Sequence, residues 1–371
     1  MNAEVIVVDN ASTDGSLAYL KPNFPDVQFI ESGANSGFAK ACNVGLQKAL
    51  GEFILFLNPD TIVAEDSLQV CIDFLLSNNK CGAVGVKMID GSGKFLKESK
   101  RSFPSPWISF FKLTGLATLF PTSALFGRYH LGHLTNDKDH EVDVLAGAFM
   151  VIRKEVLEKV GSFDEAFFMY GEDIDLSYRI QKAGYKNYYL AQTTIIHFKG
   201  ESTKKGSLKY VRLFYKAMSI FVQKHYSGGK AVFFRITIQL GIWLRALIAA
   251  AAKWIHGIIK VFSAKEKQTA SASQVLVVSS EDELKEVEAF IQSGLPFYIV
   301  GQTHSLKEIN SKLKASNANK LIYVAGSISY KSIIADIMFH PGIEKHFHAY
   351  KSRSIICSED SNTNGEAYPL S

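Results

Sequence analysis

Short apolar runs closed by polar turn residues and separated by helical stretches recur along the first sixty residues, and this alternation limits the fold more than any other feature of the chain. Residues 4–8 (EVIVV) form a β-branched run ending in Asp9-Asn10; residues 12–20 read as a helix, 27–31 as a short strand and 37–50 as a second helix. Phe53–Leu57 is apolar throughout and is closed by Asn58-Pro59-Asp60. Strands buried on both faces, with helices between them, predict an α/β fold on a mostly parallel sheet. Ligands of such sheets bind beyond the carboxyl ends of the strands. Asp9-Asn10 and Asn58-Pro59-Asp60 stand at two such ends and are expected to face one crevice, although both are also ordinary turn compositions.

With 371 residues, 47% apolar and 21% charged, the chain is long enough for about two domains, each with its own core. A net charge of +5, with no strongly basic segment interleaved with aromatics, argues against nucleic acid as a partner. Cys42, Cys71, Cys81 and Cys357 form no Cys-x-x-Cys pair, so neither zinc nor a disulfide framework is indicated, and reduced thiols in a cytoplasmic compartment are expected. The first residues run straight into a strand without the basic and apolar regions of a secretion signal.

A later helix is read from Leu176, Ile180 and Ala183 at i, i+4 and i+7, with Gly184 as its stop. Its first turn carries Glu172 and Asp173, where backbone N–H groups and the helix dipole favour a charged acid by roughly 0.3–1 kcal/mol. Such a pair suits an ionised base, and equally suits plain capping of the helix.

The order and spacing of these elements carry more than each alone. An acid ending an early strand, Asn35-Ser36-Gly37-Phe38 before a helix bearing Asn43, an acid after a central apolar strand and Glu-Asp on a later helix resemble the inverting family 2 glycosyltransferases of the GT-A fold. The resemblance covers residues 1 to about 225 and is strongest to rhamnosyltransferase-like members. VVDNASTDGS is similar to the family's nucleotide-binding strand, which implies nucleotide contacts for Asp9 and its neighbour Asn10; NSGFAKACNVG is similar to the segment around the nucleotide sugar, which implies Asn35, Gly37 and Asn43. LFLNPDTIV occupies the place of the Asp-x-Asp metal motif, with Asn58 on the nucleotide-sugar side and Asp60 as the implied metal contact. FDEAFFMYGEDIDLSYRIQKAGY resembles the acceptor-side segment and implies Asp173 as the base beside Glu172, while IIHFKGES implies His197 as a metal or diphosphate contact. Family members carry a further strand and helix ahead of the VVDN strand, so the resemblance implies a sheet short of one neighbour here.

The implied chemistry suits these residue types. The departing nucleoside diphosphate gathers negative charge, which a divalent cation neutralises. Mg²⁺ fits a single carboxylate such as Asp60, and a His197 ligand favours Mn²⁺. One base and no enzyme nucleophile imply a single displacement with inversion. By resemblance the donor is a dTDP- or UDP-hexose, dTDP-rhamnose first, and the acceptor a surface polysaccharide or lipid-linked glycan. A sugar nucleotidyltransferase is the alternative enzyme, but no glycine-rich basic phosphate loop is present. An inactive scaffold of a polysaccharide assembly complex is the alternative without catalysis.

Two apolar segments bear on location. Residues 104–132 carry Trp107, Phe110, Phe111, Leu116, Leu119, Phe120, Leu125 and Phe126 with few charges, and are expected either to pack inward or to form an acceptor-side surface touching lipid. Residues 233–262 are apolar with one polar stripe of Arg235, Gln239, Arg245, Lys253, His256 and Lys260, the pattern of a helix lying in the membrane interface or packed on its own protein. Together they suggest a peripheral position on the inner face of the cell membrane. The expected organisation is a glycosyltransferase domain at 1–225, the amphipathic segment at 226–262, a polar linker at 263–274 and a small α/β domain at 275–371. Strands in the last are read at 275–279, 297–300, 321–324 and Ser354–Cys357, with helices at Glu281–Gln292 and 306–314. No chemistry is assigned to it. His340, His346 and His348 are read as lacking acidic company and are expected to be surface or core histidines rather than ligands.

Overall fold

The protein is described by a computed structural model. It covers residues 2–198, 208–229, 273–292, 295–340, 342–349, 354–357 and 366–369, with isolated positions at 232, 234, 236–237, 239–240 and 352. Most of the 233–262 segment and the 263–272 part of the expected linker lie outside the described residues.

The first unit opens with β1 (Ile6–Asp9), α1 (Ser16–Asn23), β2 (Gln28–Glu31) and α2 (Phe38–Leu46), where β1 and β2 pair in parallel as a two-stranded sheet. The main sheet follows from β3 (Phe53–Leu57), β4 (Thr61–Ile62), β5 (Cys81–Ile89), β6 (His140–Val142), β7 (Phe149–Arg153) and β8 (Lys186–His197). Its order is β3-β7-β5-β8-β4, with β6 also paired to β8. Between these strands lie α3 (Ser67–Ser77), α4 (Pro106–Thr114), α5 (Leu116–Leu119), α6 (Lys154–Val160) and α7 (Glu172–Lys182), and α8 (Leu208–His225) follows β8. Alternating residues of the strands feed two cores. Ile54, Phe56, Met150 and Ile152 pack with Ala39 of α2, Val156 of α6 and Leu176 and Ile180 of α7; Phe149 and Val151 face the opposite way, toward Cys71 and Leu75 of α3. Both faces are therefore covered by helices, as the continuous apolar strands require.

The α/β class is as expected, but the sheet is mixed rather than mostly parallel. Within the main sheet β5 and β8 run parallel, while β7 is antiparallel to both β3 and β5, and β4 and β6 are antiparallel to β8. An apolar run such as Phe53–Leu57 reports that both faces are buried and is silent on direction. A long connection, residues 90–148, joins β5 to β7 and lets the chain reverse and enter between β5 and β3.

The second unit consists of β9 (Ser273–Val278), α9 (Glu281–Gln292), β10 (Phe297–Thr303), α10 (Ile309–Ser316), β11 (Lys320–Val324), α11 (Tyr330–Ile337), β12 (Glu344–His348), β13 (Ser354–Cys357) and β14 (Glu366–Pro369). Its sheet runs β10-β9-β11-β12-β13-β14, and β9 begins two residues inside the segment read as linker. The two units share a core: Ala64, Ile89, Ile196 and Phe198 of the first pack among Ile333, Ile334, Ile337 and Phe347 of the second. Polar contacts reinforce that seam. Glu65 accepts the backbone N–H groups of Tyr330 and Lys331 at 2.7 and 2.9 Å, where α11 has unpaired donors, and buried Lys345 donates to the Ser92 carbonyl at 3.2 Å.

Candidate active site

β1 ends in Asp9, whose carboxylate accepts the Ser12 backbone N–H at 3.3 and 3.2 Å and so closes the turn. Asn10 then ties this strand end to the loop before α2. Its amide N–H donates to Asn35 Oδ1 at 3.2 Å and the Gly37 carbonyl at 3.3 Å, and its Oδ1 accepts the Ser36 backbone N–H at 2.9 Å. Asn35 Oδ1 also accepts the Gly37 N–H at 3.2 Å. Gly37 is required on two counts: its φ is 90°, and a Cβ there would lie 2.5 Å from the Phe168 carbonyl. That carbonyl accepts the Phe38 N–H at 3.0 Å, joining the loop to the segment before α7. The structure thus brings Asp9, Asn10, Asn35 and Gly37 together.

Asn43 stands apart from this hydrogen-bonded group. It is buried, its N–H groups donate to the Phe163 carbonyl at 2.9 Å and Glu165 at 3.0 Å, and its Oδ1 accepts the Phe163 N–H at 3.1 Å. With both ends of the amide engaged, Asn43 fixes the 163–165 turn against α2.

Asn58, Asp60 and His197 converge where β3 ends beside the β4–β8 pair. The register sets Thr61 opposite His197, and the Phe198 N–H donates to the Asp60 carbonyl at 2.8 Å. His197 Nε2 lies 3.2 Å from Asp60 Oδ1 and 3.4 Å from Asn58 Nδ2. Burial alone would raise the Asp60 pKa, but the hydrogen bond and charge of His197 outweigh it and hold the carboxyl below its usual range. His197 is buried, and its Nδ1 has no hydrogen-bond partner among the described residues.

Gly171, at φ 90°, turns the chain into α7, whose first turn holds Glu172 and Asp173 as the periodicity predicts. Asp173 Oδ2 accepts from Arg101 Nη2 at 2.5 Å and from the Gly147 N–H at 3.3 Å. The next residue, Ala148, accepts the Asn58 N–H at 2.9 Å. A Cβ on Gly147 would touch both Asp173 and Phe38. The Gly147-Ala148 step is therefore the joint between the loop held by Asn10, the Asp60–His197 pair and the Asp173 carboxylate. Arg101 is buried and gives Asp173 its counter-charge; burial works against the cation, and Asp173 and Tyr129 more than restore it, raising its pKa.

Glu172 behaves oppositely. It is buried, its Oε2 finds no partner among the described residues, and burial followed by the Asp173 charge pushes its pKa up to about 8. Between its ordinary value near 4.5 and about 8 the folded protein keeps a proton that the unfolded chain has lost, so this group lowers stability as pH rises through that window. Glu172→Gln lacks the penalty. Relative to the parent, its melting temperature is expected to climb from pH 4.5 toward pH 8 and then level off, which thermal melts across that range check; a constant difference would show that Glu172 ionises freely.

Three residues further on, Asp175 is fully buried beside the cations Arg179 at 2.8 Å and Lys224 at 3.0 Å and the His225 ring at 2.7 Å. Burial raises its pKa, yet the His225 hydrogen bond and the Arg179 charge bring it down to about 2. Arg179 also donates to the carbonyls of Val160, Gly161 and Ser162, and Lys224 reaches Asp164 at 2.5 Å. This network clamps α8 and the 160–164 turn onto the helix that carries Asp173. Sequence reasoning missed both Arg101 and Asp175. Asp175 was visible as a third acid on the helix, but two of its partners, Lys224 and His225, stand about fifty residues downstream.

In the second unit His340, His346 and His348 are all buried, and the expected lack of acidic company is corrected by acids only four and two residues away in the chain. His340 lies 3.2 Å from Asp336, and His346 is 2.8 Å from Glu344. Donor atoms of Glu344, His346 and Cys357 lie within 4.8 Å of one another. Lys320 sits 2.7 Å from Glu344 and supplies the positive charge there.

Residues 1–161 match the family described as Glycosyl transferase family 2. The chain is 28% identical over 254 residues to the N-acetylglucosaminyl-diphospho-decaprenol L-rhamnosyltransferase of Mycobacterium tuberculosis, a match covering 65% of this chain and 81% of that protein. It is 29% identical over 204 residues to the rhamnosyltransferase WbbL of Escherichia coli, covering 53% of this chain and 72% of WbbL. The solved mannosyltransferase from Pyrobaculum calidifontis, in complex with GDP-Man and Mn²⁺, superposes with a TM-score of 0.39 at 16% identity over 85% of this chain and 76% of that one, so the assignment rests on the sequence matches. On those matches residues 1–161 carry a family 2 glycosyltransferase domain, and the chain is similar to rhamnosyltransferases and is an enzyme that transfers a sugar from a donor.

Proposed function

We propose that the chain moves a hexose, rhamnose from dTDP-rhamnose first among the candidates, to a hydroxyl of a polysaccharide or lipid-linked glycan, with inversion at the transferred carbon. The carrying observation is the Gly147-Ala148 joint, which sets the Asp173 carboxylate beside both the Asp60–His197 pair and the loop held by Asn10. In this reading Asp9 and Asn10 meet the nucleotide, and Asn35, Gly37 and Asn58 border the sugar diphosphate. Asp173 takes the proton of the acceptor hydroxyl as that oxygen attacks. Arg101 fixes the carboxylate's orientation, and with no enzyme nucleophile in play the displacement is single.

A divalent cation, Mg²⁺ or Mn²⁺, fits Asp60 and His197. A carboxylate held ionised and an imidazole nitrogen 3.2 Å away are two ligand atoms already facing one another. When bound, the cation neutralises charge on the departing diphosphate. The names of the relatives support a lipid-linked glycan acceptor, and in this reading the enzyme works at the cytoplasmic face of the membrane. Among the described residues no helix is long and apolar enough to cross it.

A thermal-shift series with nucleotide sugars, with and without Mn²⁺ or Mg²⁺, tests this reading. A donor at a hundredfold excess over its Kd adds about 2.7 kcal/mol of apparent stability. The shift is expected for dTDP-rhamnose only with metal present, and Asp60→Asn is expected to remove the metal dependence without lowering the melting temperature of the free protein. A metal effect unchanged in Asp60→Asn takes that residue out of the site. Pyrophosphate release from a nucleoside triphosphate would point to a nucleotidyltransferase, and neither activity to a scaffold.

A further inference from the structure

Between Glu98 and Asp137 the chain contains no carboxylate; of its four cations Lys100 and Arg101 are buried, which leaves half-buried Lys112 and exposed Arg128 at the surface. Inside that stretch, α4, α5 and the residues after them expose Trp107 (57%), Leu119 (72%), Phe120 (52%) and Leu125 (59%). These form one surface, because a run of ring contacts links its ends: Trp107 to Phe111 at 6.3 Å, Phe111 to Phe126 at 5.0 Å and Phe126 to Phe120 at 5.5 Å. The backbone beneath is held tightly, since a Cβ on Gly127 or Gly132 would overlap the Pro121 carbonyl. On its inner side the surface reaches the site. Tyr129 lies under Lys112, whose Nζ is 3.6 Å from the ring centroid, its carbonyl accepts the Ser102 N–H at 3.0 Å, and its hydroxyl lies against Arg101, which holds Asp173.

We infer that the α4–α5 face docks onto a bilayer carrying anionic headgroups, with Trp107, Leu119, Phe120 and Leu125 entering the headgroup–acyl boundary. An acid-free, weakly basic surface matches anionic lipid and avoids the repulsion that scattered carboxylates would bring. Trp107 at one end and Phe120 at the other suit the interface, where large amphipathic and apolar rings settle. The firm backbone means that docking orders little that was loose beforehand. Because Arg101 joins this face to Asp173, a docked enzyme holds its base close to the membrane surface. The inference rests on the surface itself and its test reads lipid contact rather than transfer, so it stands or falls apart from the assignment of donor and acceptor.

The experiment uses the full chain with Trp243→Phe and Trp254→Phe, which leaves Trp107 as the sole tryptophan reporter, and vesicles of phosphatidylcholine with or without phosphatidylglycerol. Phosphatidylglycerol vesicles are expected to blue-shift Trp107 emission, and lipids brominated high on the acyl chain to quench it. In the otherwise unchanged protein, Leu119→Ser with Phe120→Ser is expected to weaken vesicle binding by about tenfold or more. Protein that binds vesicles while Trp107 stays unshifted and unquenched overturns the inference, as does undiminished binding of the double variant. A dimer in light scattering that the double variant dissolves would assign the face to a second copy instead.

Discussion

Asp173→Asn is expected to lower sugar transfer by about 10²-fold or more while donor binding stays near the parent value. The substitution keeps size and hydrogen-bonding shape and removes the basic oxygen. Donor affinity is spared because the polar contacts of the side chain run to Arg101, Gly147 and the Ile174 N–H rather than to the Asp9–Asn10 loop. Buried Arg101 loses its counter-charge at the same time, so some stability is lost and rates must be compared per folded molecule. Glu172→Gln provides the control: a neighbour that already carries its proton has little basicity to lose. Steady-state transfer assays alongside donor titrations check this, and parent-like rates in Asp173→Asn would remove it as the base.

The largest loss of stability is expected from Asp175→Asn. Its carboxylate is fully buried and serves Arg179, Lys224 and His225 together, and removing one member of a buried charge network typically costs about 3–5 kcal/mol because the others remain buried and uncompensated. The sign of its pH dependence follows from a pKa lowered from 3.8 to about 2: the contribution is complete above 3.8 and disappears as pH falls through about 2. Parent and variant melts should therefore differ most near neutral pH and converge in strong acid. A difference below about 1 kcal/mol at pH 7 would show that solvent takes over the role of Asp175.

What the sequence made legible were features of local cause. Phe53–Leu57 and Ser354–Cys357 form strands with the bounds their apolar runs set, and Glu172 and Asp173 occupy the first turn that the 3.6-residue period assigns them. The encounter of Asp60 with His197 followed from the family resemblance, since nothing local joins residues so far apart. Other features had no local signature. The direction of β7 depends on a long connection, Arg101 stands in a stretch without periodicity, and Asn43 looked available because its partners Phe163 and Glu165 are remote. β12 escaped for a related reason. Glu-Lys-His-Phe-His reads as polar, yet the strand is buried, with Lys345 donating to carbonyl groups and His346 Nε2 facing Glu344.

The seam between the two units bears on how this enzyme can be altered. Ile62, Ala64, Ile196 and Phe198 flank Asp60 and His197 in sequence, and they complete their packing only against side chains from the far end of the chain. Exchanging the C-terminal unit for that of another transferase, in the hope of a new acceptor, would therefore remake the wall behind Asp60 and His197 as well. Recombination at the expected linker has a narrow set of tolerated partners: those that bring an apolar face to fit Phe198, a helix start for Glu65 and an ammonium group for the Ser92 carbonyl.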